Sequence, residues 1–225
     1  DNWPAPVYNG GFYRSTDEIA CISKVTHGIV KDVVPEVSSC YLPHAVDSNI
    51  FKKFSTNNTE QMNAINEVKN RIQQASVNHK NPNKKVFFWN NRNARRKQSG
   101  TLIWWFKEFL DDVGHDKATL LMHTDARDPH GQDLPHIINH LGVNDGQVLL
   151  STQKIDSNHL ASMYNAADFT INVSDAEGFG LATLESLSCG TPIVVNMTGG
   201  LQEQVTDGKN WFGWGIQPSS KAVIG

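Results

Sequence analysis

"ADFTINVSDAEGFGLATLESLSCGTPIVVN" (167–196) contains an apolar run, a turn with two glycines, a stretch of helical spacing and a second apolar run. The near-continuous apolar character of 168–174 and 192–196 predicts strands buried on both faces, as in parallel sheets. A strand ending near Ser174 and a helix starting near Leu181 leave Asp175, Ala176, Glu177, Gly178, Phe179 and Gly180 as the connection. Gly178 and Gly180 allow close backbone approach to a ligand, while the helix start offers free N–H groups and the positive end of its dipole. This is an anion site by construction. Glu177 lies in the turn, where it can face sugar hydroxyls beside such an anion. Glu185, about one turn into the helix, can accept two hydrogen bonds from a vicinal diol such as a ribose. Both glutamates also read as ordinary acids favoured by the dipole alone.

Working outward, short strand-like runs recur at 18–23, 39–43, 85–90, 118–123 and 147–151. Segments of helical spacing lie between them: Met62, Ile65, Val68 and Ile72; Leu102, Trp105, Phe106, Phe109 and Leu110; Leu134, Ile137, Ile138 and Leu141; Leu160, Met163 and Tyr164. Asp156 or Ser157 suits a helix N-cap, and Gly114, Gly142 and Gly190 suit helix ends. Strand and helix alternate from residue 85 to about 205, which predicts an α/β fold: an open, Rossmann-like parallel sheet flanked by helices, with ligands beyond the carboxyl ends of its strands. Residues 1–43 carry one further βα unit and a short strand; one such unit cannot bury both of its faces, so the expectation is that 1–43 is the terminal portion of an amino-terminal, acceptor-side domain and 44–225 the ligand-binding, donor-side one.

The chain has 225 residues, 39% hydrophobic and 19% charged, with a net charge of −3. That is ample for a core and offers no global basic field for nucleic acid. Cys21, Cys40 and Cys189 suit a reducing compartment rather than a disulfide framework. No apolar run spans a bilayer, and "DNWPAPVYNGG" lacks signal-peptide character, so the expectation is a cytoplasmic protein, peripheral to a membrane only through another domain.

Two more loops stand at strand ends. "NRNARRKQSG" (91–100) places Arg92 and Lys97 where a diphosphate can be met by a bidentate guanidinium and a point charge, or else is a solvated basic turn, the reading given to Arg95 and Arg96. "NMTGGLQEQVTDG" (196–208) puts Gly199 and Gly200 before a short helix bearing Glu203, so that backbone amides reach a sugar or phosphate. Neither G-x-G-x-x-G nor G-x-x-x-x-G-K-[ST] occurs.

These pieces resemble, in order, the retaining, nucleotide-sugar-dependent glycosyltransferases of the GT-B fold (glycosyl transferases group 1, mannosyl- and glucosyltransferase-like). "YLPHAVDSNIFKKF" (41–54) is similar to the interdomain segment, "NRNARRKQ" to the Gly-Arg…Lys loop, and 149–208 to the donor-site core with its E-x₇-E pair. The resemblance covers roughly residues 15–215 and implies a nucleotide-diphosphate sugar as donor. Arg92, Lys97 and Glu177 would be catalytic. Gly178, Phe179, Gly180, Leu181, Glu185, Gly199 and Gly200 would bind the donor, as would Thr152, Lys154 and Ile155 on its base. It also implies transfer with retention to a glycan, lipid or small-molecule acceptor, no metal or other cofactor, and an amino-terminal domain supplying a glycine-rich loop and a histidine. GDP-mannose is favoured slightly over a UDP-sugar. Asn91 stands where the family usually has Gly, Ala182 where Pro is common, and "HTDARDPHGQDLP" (123–135) lacks the usual Gly-Asp-Gly-like turn.

The alternative is a non-catalytic nucleotide-sugar-binding module, or an epimerase or phosphorylase relative. A metal at Asp175-Ala176-Glu177, or at His136 and His140, is disfavoured, the Glu of a H-E-x-x-H zinc motif being absent. His44 reads as hinge or packing, Cys189 as an inert packed thiol, "WWF" (104–106) as core or docking face, and Trp211, Phe212 and Trp214 as an exposed patch.

Overall fold

In the computed structural model, described over residues 6–217, α1 (Gly10–Tyr13) leads into a small unit of β1 (Glu18–Cys21), α2 (Lys24–Val33) and β2 (Ser38–Tyr41). The two strands pair in parallel, and Ser23 caps α2 by accepting from the Thr26 amide. Cys21, Val30 and Val34 are its buried apolar centre. The outer limits of the two expected domains, at residues 1 and 225, lie outside the described residues.

The larger unit follows as α3 (Thr59–Gln74), β3 (Lys85–Asn90), α4 (Ser99–Val113), β4 (Ala118–His123), α5 (Leu134–Leu141), β5 (Val148–Ser151), α6 (Ser157–Ala166), β6 (Phe169–Asn172), α7 (Leu181–Ser188), β7 (Ile193–Asn196), α8 (Leu201–Val205) and β8 (Gly213–Ile216). All six strands pair in parallel in the order β5-β4-β3-β6-β7-β8. The expected parallel α/β sheet is thus present.

Alternation along β3 shows how the layers form. Val86 and Phe88 join the core with Ile72 of α3 and Met163 and Tyr164 of α6. Trp89 joins the opposite core with Leu102, Ile103, Phe106 and Leu110 of α4 and Leu134 and Ile138 of α5. Period-2 side chains meeting period-3.6 stripes from both sides is the two-sided burial that the apolar strands require, each fully buried large side chain contributing about 1.5–3 kcal/mol.

Two sequence expectations change. β8 carries no strand expectation, because "GWGI" puts two glycines in four residues; backbone pairing with β7 overrides that low propensity. Trp214, on this edge strand, is 71% exposed. The "WWF" stretch divides, Phe106 joining the core while Trp104 and Trp105 stay about half exposed. No helix among the described residues is long and apolar enough to cross a membrane.

The strand order reverses between β3 and β6: β4 and β5 succeed β3 on one side, β7 and β8 succeed β6 on the other. The loops after β3 and β6 therefore meet at the switch point beyond the carboxyl ends of the strands, the place where open α/β sheets bind their ligands.

Candidate functional site

The turn after β6 is shaped by its neighbour after β7. A Cβ on Gly199, whose φ is +47°, would lie 1.8 Å from the Glu177 carbonyl oxygen, and one on Gly200 would lie 2.7 Å from that of Gly178. Two backbones can touch there only because both residues are glycine. Gly200 donates its amide to the Glu177 carbonyl at 3.0 Å. This corrects the expectation that both glycine amides face a ligand: the Gly200 amide is used in bracing the turn. Gly180, at φ +93°, is the N-cap of α7 and offers no side chain to its first N–H groups, at Leu181 onward. Leu181 is 47% exposed, Gly178 is exposed, and Phe179 is buried beneath the edge of the His44 ring, 5.2 Å between centroids.

From β3 the chain enters a 3-10 turn, Arg95–Lys97, and brings two cations to this turn. Lys97 is nearly buried and forms an ion pair with the Glu177 carboxylate. Burial holds the Lys97 ammonium below the usual lysine range, against the opposing pull of Glu177. Arg96 is exposed, as a solvated turn requires, yet it also donates to the Ala176 carbonyl at 2.9 Å and stands 3.6 Å from Glu177, which brings it to the site. Arg95 is exposed as well. Gln98 holds a left-handed backbone, φ 54°, and donates to Asp175.

Arg92 goes elsewhere. Its Nε and an Nη donate to the two Asp128 oxygens at 2.6 and 3.2 Å, and the same Nη meets His130 Nδ1 at 3.0 Å. The guanidinium expected to face a diphosphate is thus held by a carboxylate of the β4–α5 loop. That loop is docked along the outer side of the basic loop: buried Asn93 donates to the Gln132 carbonyl at 2.7 Å and accepts from Ser99 Oγ at 2.7 Å, and a Cβ on Gly131 would lie 2.2 Å from the Asn93 carbonyl oxygen. Arg92 holds Asp128 well below the usual carboxylate range, with help from the His130 amide.

Glu185 sits on the inner face of α7, where burial pushes its carboxyl up. Its Oε2 accepts from the Tyr164 hydroxyl at 2.7 Å, and that hydroxyl accepts from Asn90 Nδ2 at 2.9 Å. Thr152, Lys154 and Ile155 follow edge strand β5, two strands from the switch point; Thr152 and Ile155 line a separate groove of about 1020 Å³ with α3 and α6. The structure gathers Lys97, Arg96, Glu177 and the turn amides in one place, with Glu185 beyond them on α7, and does not gather Arg92 or the β5 loop with them. Cys189 is buried, its thiol pushed up to about 12. His136 and His140 stack ring on ring, 6.2 Å apart, and among the described residues no group of three or more His, Cys, Asp or Glu side chains is arranged to hold a metal.

Arg96, Asp128, His130, Gly131 and Tyr164 escaped the sequence reading as site residues. Each acquires its place from a partner 20 or more positions away, so spacing carries no signal for it.

The family model described as "Glycosyl transferases group 1" matches residues 70–223. The D-inositol 3-phosphate glycosyltransferase 2 of Catenulispora acidiphila is 38% identical over 77 residues, 34% of this chain and 18% of its own length. The alpha-monoglucosyldiacylglycerol synthase of Streptococcus pneumoniae is 25% identical over 197 residues, 88% of this chain and 41% of its own. Among solved structures, sucrose-phosphate synthase of Thermosynechococcus elongatus shares the fold with a TM-score of 0.72 at 20% identity, over 96% of this chain and 49% of that one. Anabaena HepE in complex with UDP and glucose gives 0.68 at 18% identity, over 96% and 55%. The chain thus spans less than half the length of these curated relatives.

Proposed function

The chain belongs to the glycosyl transferases group 1 family, and on that footing we propose that it is the donor-binding half of a retaining glycosyltransferase that moves a hexose from a nucleotide-diphosphate sugar to an acceptor without a metal. The observation that carries this reading is the placement of Lys97 and Glu177 at the switch point with Glu185 one turn along α7.

The division of labour follows from charge. An entering diphosphate offers Lys97 a stronger anion than a single carboxylate. The ammonium then moves from Glu177 to phosphate, and Glu177 is released to accept hydrogen bonds from the sugar. The amides of Gly178 to Leu181 add the positive end of α7. Arg92 joins by exchanging Asp128 for a phosphate oxygen, and Glu185 holds the ribose. In the transfer step the acceptor hydroxyl attacks the anomeric carbon on the face from which the phosphate departs. The bond from that carbon to the phosphate oxygen breaks, and the acceptor proton passes to the departing diphosphate. Cations fixed beside that group stabilise its growing charge and substitute for a metal. The acceptor is a glycan, lipid or small molecule met by a domain other than this one.

Calorimetric titration with GDP, UDP and ADP and their sugar conjugates, with and without EDTA, tests the reading. Selective, EDTA-insensitive binding is expected, with GDP-mannose set against UDP-glucose to name the donor. Absence of binding by all of them overturns it.

A further inference from the structure

A glutamate on α7 does not by itself face a ribose. Glu185 lies on a short helix, half-buried, and its carboxylate has to be both turned toward the crevice and kept able to accept. The fold supplies a device for both. Tyr164 of α6 has no exposed surface, and its ring is fixed edge-on by Phe88 at 5.0 Å and Phe51 at 6.2 Å, so its hydroxyl has one position. That hydroxyl donates to Glu185 Oε2 at 2.7 Å and accepts from Asn90 Nδ2, at the last residue of β3, at 2.9 Å. Three elements, β3, α6 and α7, thus meet in a chain of hydrogen bonds whose direction is set: Asn90 is donor only through its amide nitrogen, so the tyrosine proton must point to the carboxylate. Tyr164 keeps that proton, since burial pushes its phenol well above the ordinary range.

We propose that Tyr164, backed by Asn90, is a positioning residue for nucleotide recognition: it pins Glu185 Oε2 and so presents Oε1 to the two hydroxyls of a ribose, making the site selective for ribonucleotides over 2′-deoxyribonucleotides. This rests on the donor-site reading above. Burial drives Glu185 toward its neutral form, and the tyrosine hydrogen bond opposes this. A neutral Glu185 loses acceptor strength. Binding that depends on it therefore falls as pH drops through its raised value, and removing the hydroxyl moves that fall to higher pH.

The test is Tyr164→Phe, which keeps the ring, titrated with UDP, GDP and their 2′-deoxy forms from pH 5.5 to 8.5. The expected result is a loss of roughly five- to tenfold in ribonucleotide affinity, little change for the deoxy forms, and an acid limb shifted upward. An unchanged ribo-to-deoxy ratio and an unchanged limb overturn the proposal. Should Tyr164→Phe not fold, Asn90→Ala decides in its place: it must move both readouts the same way by a smaller amount, and no movement overturns it. Should the unsubstituted chain bind none of the four nucleotides, the donor-site reading itself has failed. Carboxyl ¹³C NMR of Glu185 without ligand then judges the pairing alone, an upward-shifted titration in Tyr164→Phe sustaining the positioning role and an unmoved one refuting it.

Discussion

Arg92 and Lys97 stand five positions apart on one loop and end in opposite surroundings. Lys97 turns inward, nearly buried against Glu177 across the switch point; Arg92 turns outward, 63% exposed, against Asp128 and His130 of the loop after β4. Charge and spacing are alike for both. What separates them is which anion the fold carries to each side: the inner half of the loop lies beside the turn after β6, the outer half beside "HTDARDPHGQDLP". A basic loop at a strand end is therefore two structures, an inner one paired across the switch point and an outer one whose guanidinium is held by the neighbouring loop until a phosphate displaces the carboxylate.

The largest effect should come from the inner side. Lys97→Met removes a charged hydrogen bond to the diphosphate worth about 1.5–3 kcal/mol, or roughly a 10- to 150-fold loss of nucleotide affinity by calorimetry. Because burial lowers the Lys97 ammonium, binding to the unsubstituted protein should also weaken as pH rises through a value below the ordinary lysine range, and Lys97→Met should abolish that alkaline limb. Arg92→Ala matching Lys97→Met in size would erase the distinction between the two sides.

Next comes the outer seam. Gly131→Ala places a methyl 2.2 Å from the Asn93 carbonyl oxygen. Such overpacking costs about 1–3 kcal/mol, which for a domain of this size lowers Tm by roughly 2–4 °C per kcal/mol. A scaffold role predicts a clear fall in Tm with a smaller loss of nucleotide affinity than Lys97→Met. A variant as stable as its parent would show that the seam bears no weight.

The smallest effect sharpens the contrast. Asp128→Asn weakens the carboxylate that competes with phosphate for Arg92, so nucleotide affinity should rise about two- to threefold, within the range of exposed ion pairs. A fall instead would mean that Asp128 aims Arg92 at the ligand rather than withholding it.

Much of this architecture is legible in the residues. β3 and β4 lie at 85–90 and 118–123 as apolar runs predict, and the strands at 147–151, 168–174 and 192–196 are trimmed by one to three residues, because the ends leave the ladder to enter loops. The Glu177 turn is equally readable, since glycine, acid and helix start are contiguous. What is illegible is whatever depends on a crossing of loops. Arg96 looks like a solvated cation until the Ala176 carbonyl arrives, and Tyr164 looks like one more apolar helix residue until Asn90 and Glu185 close on its hydroxyl. β8 is hidden for a different reason: its pairing with β7 is backbone work, and its glycines give no side-chain pattern to read.

The small sheet of β1 and β2 has a consequence for handling the protein. Each strand has one partner, so among the described residues each leaves a row of N–H and C=O groups with no strand beside it. Open rows of this kind are templates for another strand, whether from elsewhere in a longer polypeptide or from a neighbouring molecule. Glu18–Cys21 and Ser38–Tyr41 are accordingly two edges at which the sheet can be extended, alongside the outer sides of β5 and β8 in the larger one.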